Sequence, residues 1–153
     1  MSARRSVLVC GAGGFVGTHL VSRLAREGCE VRGVDLRRSA FSESEAHEFV
    51  LGDLRDRGFF RSVVDRPFDE VYQLAADMGG AGYIFSDEND ADVMRNSAAV
   101  NLNALDACLR AGAMRVFFPS SACVYPLRNQ TDPSEFHCAE ASAYPADPDS
   151  EYD

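Results

Sequence analysis

The sequence predicts an α/β chain built on a doubly wound parallel sheet with helices on both faces. Three observations predict it. Short apolar runs of strand length alternate with segments whose apolar residues recur at helical spacing. A glycine-rich turn joins the first run to the first helical segment. Glycines and acidic residues then recur just past the carboxyl ends of successive runs, which is where open α/β sheets hold their ligands.

In chain order, Val7–Cys10 is a β-rich run with glycines directly behind it. The helix predicted next runs from about Phe15 to Glu27. Val16, Leu20, Val21 and Leu24 form its apolar face, and Gly28 is its stop. Val31–Val34 is the second strand and closes on Asp35. Phe41–Glu48 is polar and mixed, a loop or a loose helix. Glu48–Leu51 is the third strand, followed by "GDLRD". Arg57–Val64 is helical, with Pro67 as punctuation, and Glu70–Ala75 is the fourth strand. "ADMGGAGYIFSDEND" reads as a long loop. The longest helix is expected over Asp92–Ala111. Val93, Val100, Leu102, Leu105 and Leu109 are its apolar positions and Gly112 its end. Arg115–Pro119 reads as a fifth, buried strand. After Pro126, proline, serine and acidic residues dominate, so residues 1–126 are expected to form the sheet domain and 127–153 a surface loop. No internal repeat is present.

Composition narrows the function classes. A chain of 153 residues suffices for one domain with its own core. The formal net charge is −9 and every basic residue is Arg, which argues against a general nucleic-acid binder. A phosphate-bearing small molecule needs only a local site and stays open. The five cysteines, Cys10, Cys29, Cys108, Cys123 and Cys138, are odd in number and irregular in spacing. They suggest neither zinc nor a secretory framework, and reduced thiols in a cytosolic protein account for them. The apolar run before the first glycine is too short for a signal peptide, and no stretch approaches the roughly 20 apolar residues of a membrane span. A cytoplasmic protein with no membrane partner and no metal is expected.

Gly11, Gly14 and Gly17 form G-x-x-G-x-x-G between a strand and a helix. Gly11 permits the tight turn, Gly14 lets the backbone approach a pyrophosphate, and Gly17 lets the helix pack close to the strand. The helix N-terminus then offers its N–H groups to phosphate. With a strand before and a helix after, the pattern predicts a dinucleotide site, to which Phe15 and Val16 belong. Asp35, 18 residues after Gly17, is placed to accept both ribose hydroxyls of the adenosine half. It would repel a 2′-phosphate, so NAD is favoured over NADP. Arg37 and Arg38 follow and are read as solvated loop residues. Asp53 ends the third strand and is placed to face the adenine edge, with Leu54 beside it. Leu74, Ala75 and Ala76, at the carboxyl end of the fourth strand, complete the expected cofactor wall.

"CGAGGFVG", "GVD", "GDLRD", "LAADMGGAGY", "FFPSSACVYP" and "YPADPDSEY", in that order, resemble the extended short-chain dehydrogenases/reductases. Within that family the resemblance is to the GDP-mannose 3,5-epimerases. It covers the whole chain and the cofactor-binding half of such an enzyme. The resemblance implies a Rossmann fold, NAD as cofactor, a nucleotide sugar such as GDP-mannose as substrate, and a homodimer in the full-length form. It also implies a reaction cycle. Hydride leaves sugar C4, the ketone so formed acidifies C–H bonds at C3 and C5, protons are exchanged there, and hydride returns.

The resemblance gives Ser121 the hydrogen bond to the C4 oxygen. Tyr152 takes the C4 hydroxyl proton and also lies against the cofactor. Cys123 becomes the proton-transfer group, in place of the glutamate of related dehydratases. Gly79, Ser121, Ala122 and Cys123 become the sugar contacts. The lysine expected four residues after Tyr152 falls beyond Asp153, and the chain contains no other lysine. Family members carry Asn on the long helix where this chain has Ser97, with Asn96 adjacent. His19, His47 and His137 have no assigned role. Two alternatives stay open: a GDP-fucose synthase type that shares Ser-x-Cys but uses NADPH, and a non-catalytic dinucleotide-binding fragment. Asp35 and "ADMGG" argue against the first; the missing lysine argues for the second.

Overall fold

In the computed structural model, residues 4–40, 42–78, 83, 88–121, 124–129 and 138–145 are described, and the chain divides into two units, Met1–Phe118 and Pro119–Asp153. The first unit holds five strands: β1 (Ser6–Cys10), β2 (Glu30–Asp35), β3 (Glu48–Leu51), β4 (Glu70–Gln73) and β5 (Val116–Phe117). Its helices are α1 (Phe15–Arg26), α2 (Arg57–Val63) and α3 (Asp90–Ala111). All strand pairs are parallel, in the order β3-β2-β1-β4-β5. The strand order therefore reverses at β1, and the switch point lies between β1 and β4, as the sequence predicts for a doubly wound sheet.

The period of β1 sets the layers. Leu8 and Cys10 face one side and pack with Phe60, Phe68, Val71, Ala104 and Cys108, beneath α2 and α3. Val7 and Val9 face the other side and pack with Val21, Leu24 and Val31, beneath α1. These side chains are fully buried or nearly so, the Val, Leu and Phe among them contributing about 1.5–3 kcal/mol each. Asp56 caps α2 by accepting the Phe59 N–H at 2.7 Å. Asp106 on α3 receives Arg110, Arg61 and Arg57 at 2.9, 2.8 and 3.2 Å, which ties α2 to α3. Those guanidiniums, Arg110 first, hold its carboxyl well below the usual carboxylate range.

Two expectations are corrected. On α3 the buried side is Val93, Asn96, Val100, Ala104, Ala107 and Cys108, while Leu102, Leu105 and Leu109 point outward. The buried side carries small residues, Ala104, Ala107 and Cys108, which join the core cluster of Leu8, Cys10 and Val71. β5 is likewise an exposed strand, with Val116, Phe117 and Phe118 at 41%, 52% and 58% exposure. It forms the edge of the sheet, so an apolar composition does not bury it.

The glycine stops stand where expected: Gly28 and Gly112 have φ of 82° and 71°. Cys10, Cys29 and Cys108 are buried free thiols. Burial pushes the Cys108 thiol up to about 11 and raises that of Cys10 as well. Cys29 does more than pack, because its sulfur accepts Arg5 Nε and Nη2 at 3.3 and 3.2 Å. His47 Nδ1 accepts the Val31 N–H at 3.3 Å, and His19 meets Phe15 edge to face at 4.8 Å; His137 lies outside the described residues.

In the second unit the expected loop contains two single 3-10 turns, Leu127–Asn129 and Glu140–Ala143. Asn129 Nδ2 joins them by donating to the Ser142 carbonyl at 2.9 Å. Among the described residues no helix is long and apolar enough to cross a membrane.

Candidate functional site

The site begins in the turn after β1. Gly11 has φ 80°, and its N–H and that of Ala12 donate to the Val34 carbonyl at 2.8 and 3.1 Å. The turn is thereby folded against β2. A Cβ on Gly11 would lie 2.8 Å from the Ala75 nitrogen, and one on Gly17 would lie 2.0 Å from the Gly11 carbonyl oxygen. Both positions require glycine, for the turn and for close helix packing respectively. Gly14 differs: the nearest atom to a Cβ there is the Gly11 oxygen at 3.4 Å. No packing contact demands glycine at Gly14, the N-cap of α1, so its surface stays open to the close approach of a ligand. No side chain caps α1, the arrangement in which a phosphate takes that place.

A fourth glycine was not singled out by the motif. Gly13 would place a Cβ 2.1 Å from the Arg37 carbonyl oxygen, and its N–H donates to Asp35 Oδ2 at 2.9 Å. The other oxygen of Asp35 accepts the Arg37 N–H at 3.2 Å. Asp35 is thus locked beside the glycine turn. A carboxylate has about four acceptor positions, so it keeps capacity for two ribose hydroxyls. Arg38 is turned away, its guanidinium 5.2 Å from the Phe49 ring centroid. Arg37 lies on the cavity wall.

One cavity of about 770 Å³ opens at the carboxyl ends of the strands, within the usual size of a small-molecule site. Every cofactor residue expected in this unit lines it: Gly11, Gly14, Phe15, Val16 and Gly17 from the turn and α1, Asp35 from β2, Asp53 and Leu54 past β3, and Leu74, Ala75 and Ala76 past β4. Phe15 and Val16 are each 62% exposed, so Val16 serves the cavity wall rather than the helix's packed face. Asp53 is engaged by Arg55, whose Nη2 and backbone N–H reach its carboxylate at 2.7 and 2.9 Å. Those contacts, the Arg55 side chain first, lower its pKa.

The structure adds Asn96, Val100, Asp77 and Met78 to the wall. Asn96 is only 8% exposed, and its Nδ2 donates to Asp77 Oδ2 at 2.6 Å. The resemblance places an Asn at Ser97, and the neighbouring Asn96 is the residue that lines the cavity. The signal that could have found it is helical phase: Val93, Asn96 and Val100 share one side of α3. Nearby, Gln73 Nε2 bridges the Ala75 carbonyl and Asn101 Oδ1 at 2.7 and 2.9 Å, fixing α3 to the end of β4.

Ser121 belongs to the second unit, is exposed, and accepts the Val124 N–H on its carbonyl at 3.3 Å. Gly79, Ala122, Cys123 and Tyr152 lie outside the described residues. Among the described residues no cluster of three His, Cys, Asp or Glu side chains is placed to hold a metal.

Residues 7–153 match the model of the NAD dependent epimerase/dehydratase family. GDP-mannose 3,5-epimerase 1 from Oryza sativa subsp. indica is 36% identical over 153 residues, covering 99% of this chain and 39% of its own length. UDP-glucuronate 4-epimerase 2 from Arabidopsis thaliana is 34% identical over 143 residues, covering 85% of this chain and 32% of its own. A solved short-chain dehydrogenase/reductase superfamily protein from Agrobacterium tumefaciens, with bound NAD, superposes with a TM-score of 0.76 at 30% identity. That match covers 97% of this chain and 40% of the solved one. The chain thus spans well under half the length of these relatives.

Proposed function

Because the chain belongs to the NAD-dependent epimerase/dehydratase family, we propose that it carries the cofactor-binding part of a nucleotide-sugar epimerase that works on a GDP-mannose-like substrate. The observation that carries the proposal is the cavity at the switch point, where Asp35 stands beside an uncapped helix N-terminus. That arrangement suits NAD: Asp35 for the adenosine ribose, the Gly11–Gly17 turn for the pyrophosphate, and the wall past β4 for the rest. The bound cofactor would supply reversible hydride acceptance at sugar C4. The GDP-mannose branch is supported by the 36% identity over 99% of the chain and by Ser121 and Cys123 in "SSACVYP".

The residue roles are those the resemblance implies, and the chemistry of each group suits them. The Ser121 hydroxyl can both donate to and accept from a C4 oxygen. The Tyr152 phenol takes the C4 hydroxyl proton as hydride departs. A thiol with an ordinary pKa near 8.5 can be tuned toward neutrality, which fits Cys123 for proton transfer at C3 or C5. A second reading, a reductase of the GDP-fucose synthase type, is favoured by Arg37 on the cavity wall, since a guanidinium there can meet a 2′-phosphate. Asp35 opposes it by charge.

Cys123→Ala in the full-length gene product separates the roles. With GDP-mannose in deuterated water, deuterium incorporation at C3 and C5 should fall by about a hundredfold or more, the scale of general acid–base catalysis. Transient oxidation at C4, read as NADH absorbance, should persist. Unchanged incorporation would return Cys123 to a packing role.

A further inference from the structure

The contact between α3 and the segment past β4 carries a consequence for how the cavity reads its ligand. Asn96 lines the cavity and is almost wholly buried. Its amide has two unlike ends, one a donor and one an acceptor. Asp77 faces it at 2.6 Å, and an ionised carboxylate can only accept. The NH₂ end is therefore the end turned to Asp77, and the carbonyl oxygen is the branch left for the cavity. Asp77 is itself held: Tyr83 OH donates to its other oxygen at 3.3 Å. Desolvation, and then the Asp77 carboxylate, raise the Tyr83 pKa, which keeps that donor protonated.

We propose that Asp77 is a positioning residue that fixes the Asn96 amide with its oxygen toward the cavity, so that the wall past β4 presents an acceptor to a ribose hydroxyl on the nicotinamide half of the dinucleotide. The inference rests on the dinucleotide reading of the cavity. The half is set by sheet order. Asp35 ends β2, Asp77 follows β4, and the glycine turn of β1 lies between them. An adenosine held at Asp35 with its phosphates at the turn sends the second ribose toward Asp77 and Asn96. A hydroxyl can donate or accept, so what Asp77 supplies is one fixed orientation, in which the amide meets the ligand with its oxygen alone. No side chain is asked to do chemistry here; Asp77 acts through Asn96.

The test uses this chain, with NADH and AMP as probes and a melting curve for each variant. AMP reports the adenosine end alone. Asn96→Asp sets two carboxylates against each other and should weaken NADH by at least about tenfold while leaving AMP within about twofold. Asp77→Ala frees the amide to turn and should do the same. The exchange variant Asp77→Asn/Asn96→Asp restores a donor facing an acceptor and again leaves an oxygen for the cavity, so NADH affinity should return to within about threefold of the parent. A purely structural contact would lower NADH and AMP together, in step with the melting temperature, and that result overturns the proposal. So does an exchange variant that regains its melting temperature but not its NADH affinity. Failure of the parent chain to bind either probe would instead remove the dinucleotide reading, and this inference with it.

Discussion

Gly17→Ala is expected to lower the stability of the chain by about 3 kcal/mol, at the upper end of overpacking costs, and to abolish measurable NADH binding. The added methyl would stand 2.0 Å from the Gly11 carbonyl oxygen, 2.8 Å from its carbon and 2.9 Å from the Ala12 Cα. All three are backbone atoms, and none can swing aside as a side chain would. Gly11 cannot retreat, because its own N–H is bonded to Val34 at 2.8 Å and its Cα faces Ala75. Relief must come from α1 moving away from β1, which lifts Val21 and Leu24 from the sheet and displaces the helix N-terminus from the phosphate position. For a domain of this size the stability loss corresponds to a melting temperature lower by roughly 6–12 °C. Gly14→Ala is the control. Its methyl meets only one atom, at 3.4 Å, so the fold should lose at most about 1 kcal/mol, the N-cap preference for Gly over Ala, while NADH binding weakens. If Gly17→Ala melts and binds as the parent does, the close entry of α1 is not what builds the site.

Asp35→Ala is expected to weaken NADH by roughly a hundredfold, equivalent to about 3 kcal/mol for charge-assisted hydrogen bonds lost to the ligand. The carboxylate has two jobs. It accepts the N–H groups of Gly13 and Arg37 at 2.9 and 3.2 Å, which fixes the glycine turn against the end of β2. Its remaining acceptor positions face the cavity, where the adenosine ribose would donate two hydroxyls. Alanine removes both jobs at once. Asparagine keeps one acceptor for Gly13 and should fall between the two. Fluorescence titration with NADH reads the effect directly, and an Asp35→Ala variant that binds NADH like the parent would place the adenosine ribose elsewhere.

The fold was legible because its signals are local and mutually consistent. The unbroken apolar run Val7–Cys10, the glycines that follow and the stops at Gly28 and Gly112 are each decided by residues near in sequence. The cofactor wall was legible for a related reason: the residues past the ends of β1 to β4 must converge once the strands are parallel. What escaped depends on distances between elements. The leucines of α3 look like core by composition, yet Ala104 and Ala107 are on the buried side and the leucines point outward. Phe117 looks buried by composition and is exposed because its strand is at an edge. Gly13 matters through an approach of Arg37 from another loop, and Asn96 through its partner Asp77, neither of which a spacing pattern records. Arg38 is exposed, as expected of a solvated loop residue, and its guanidinium lies over Phe49, a partner that no spacing pattern records.

The central claim is that the cavity at the switch point is a dinucleotide site in which Asp35 selects the unphosphorylated ribose. Calorimetric titration of the chain with NAD and, separately, NADP tests it most directly. The account predicts saturable one-to-one binding of NAD, with NADP weaker by at least about tenfold, the scale of one charge repulsion. NADP binding as tightly as NAD, or more tightly, would contradict it and give Arg37 the role assigned to Asp35.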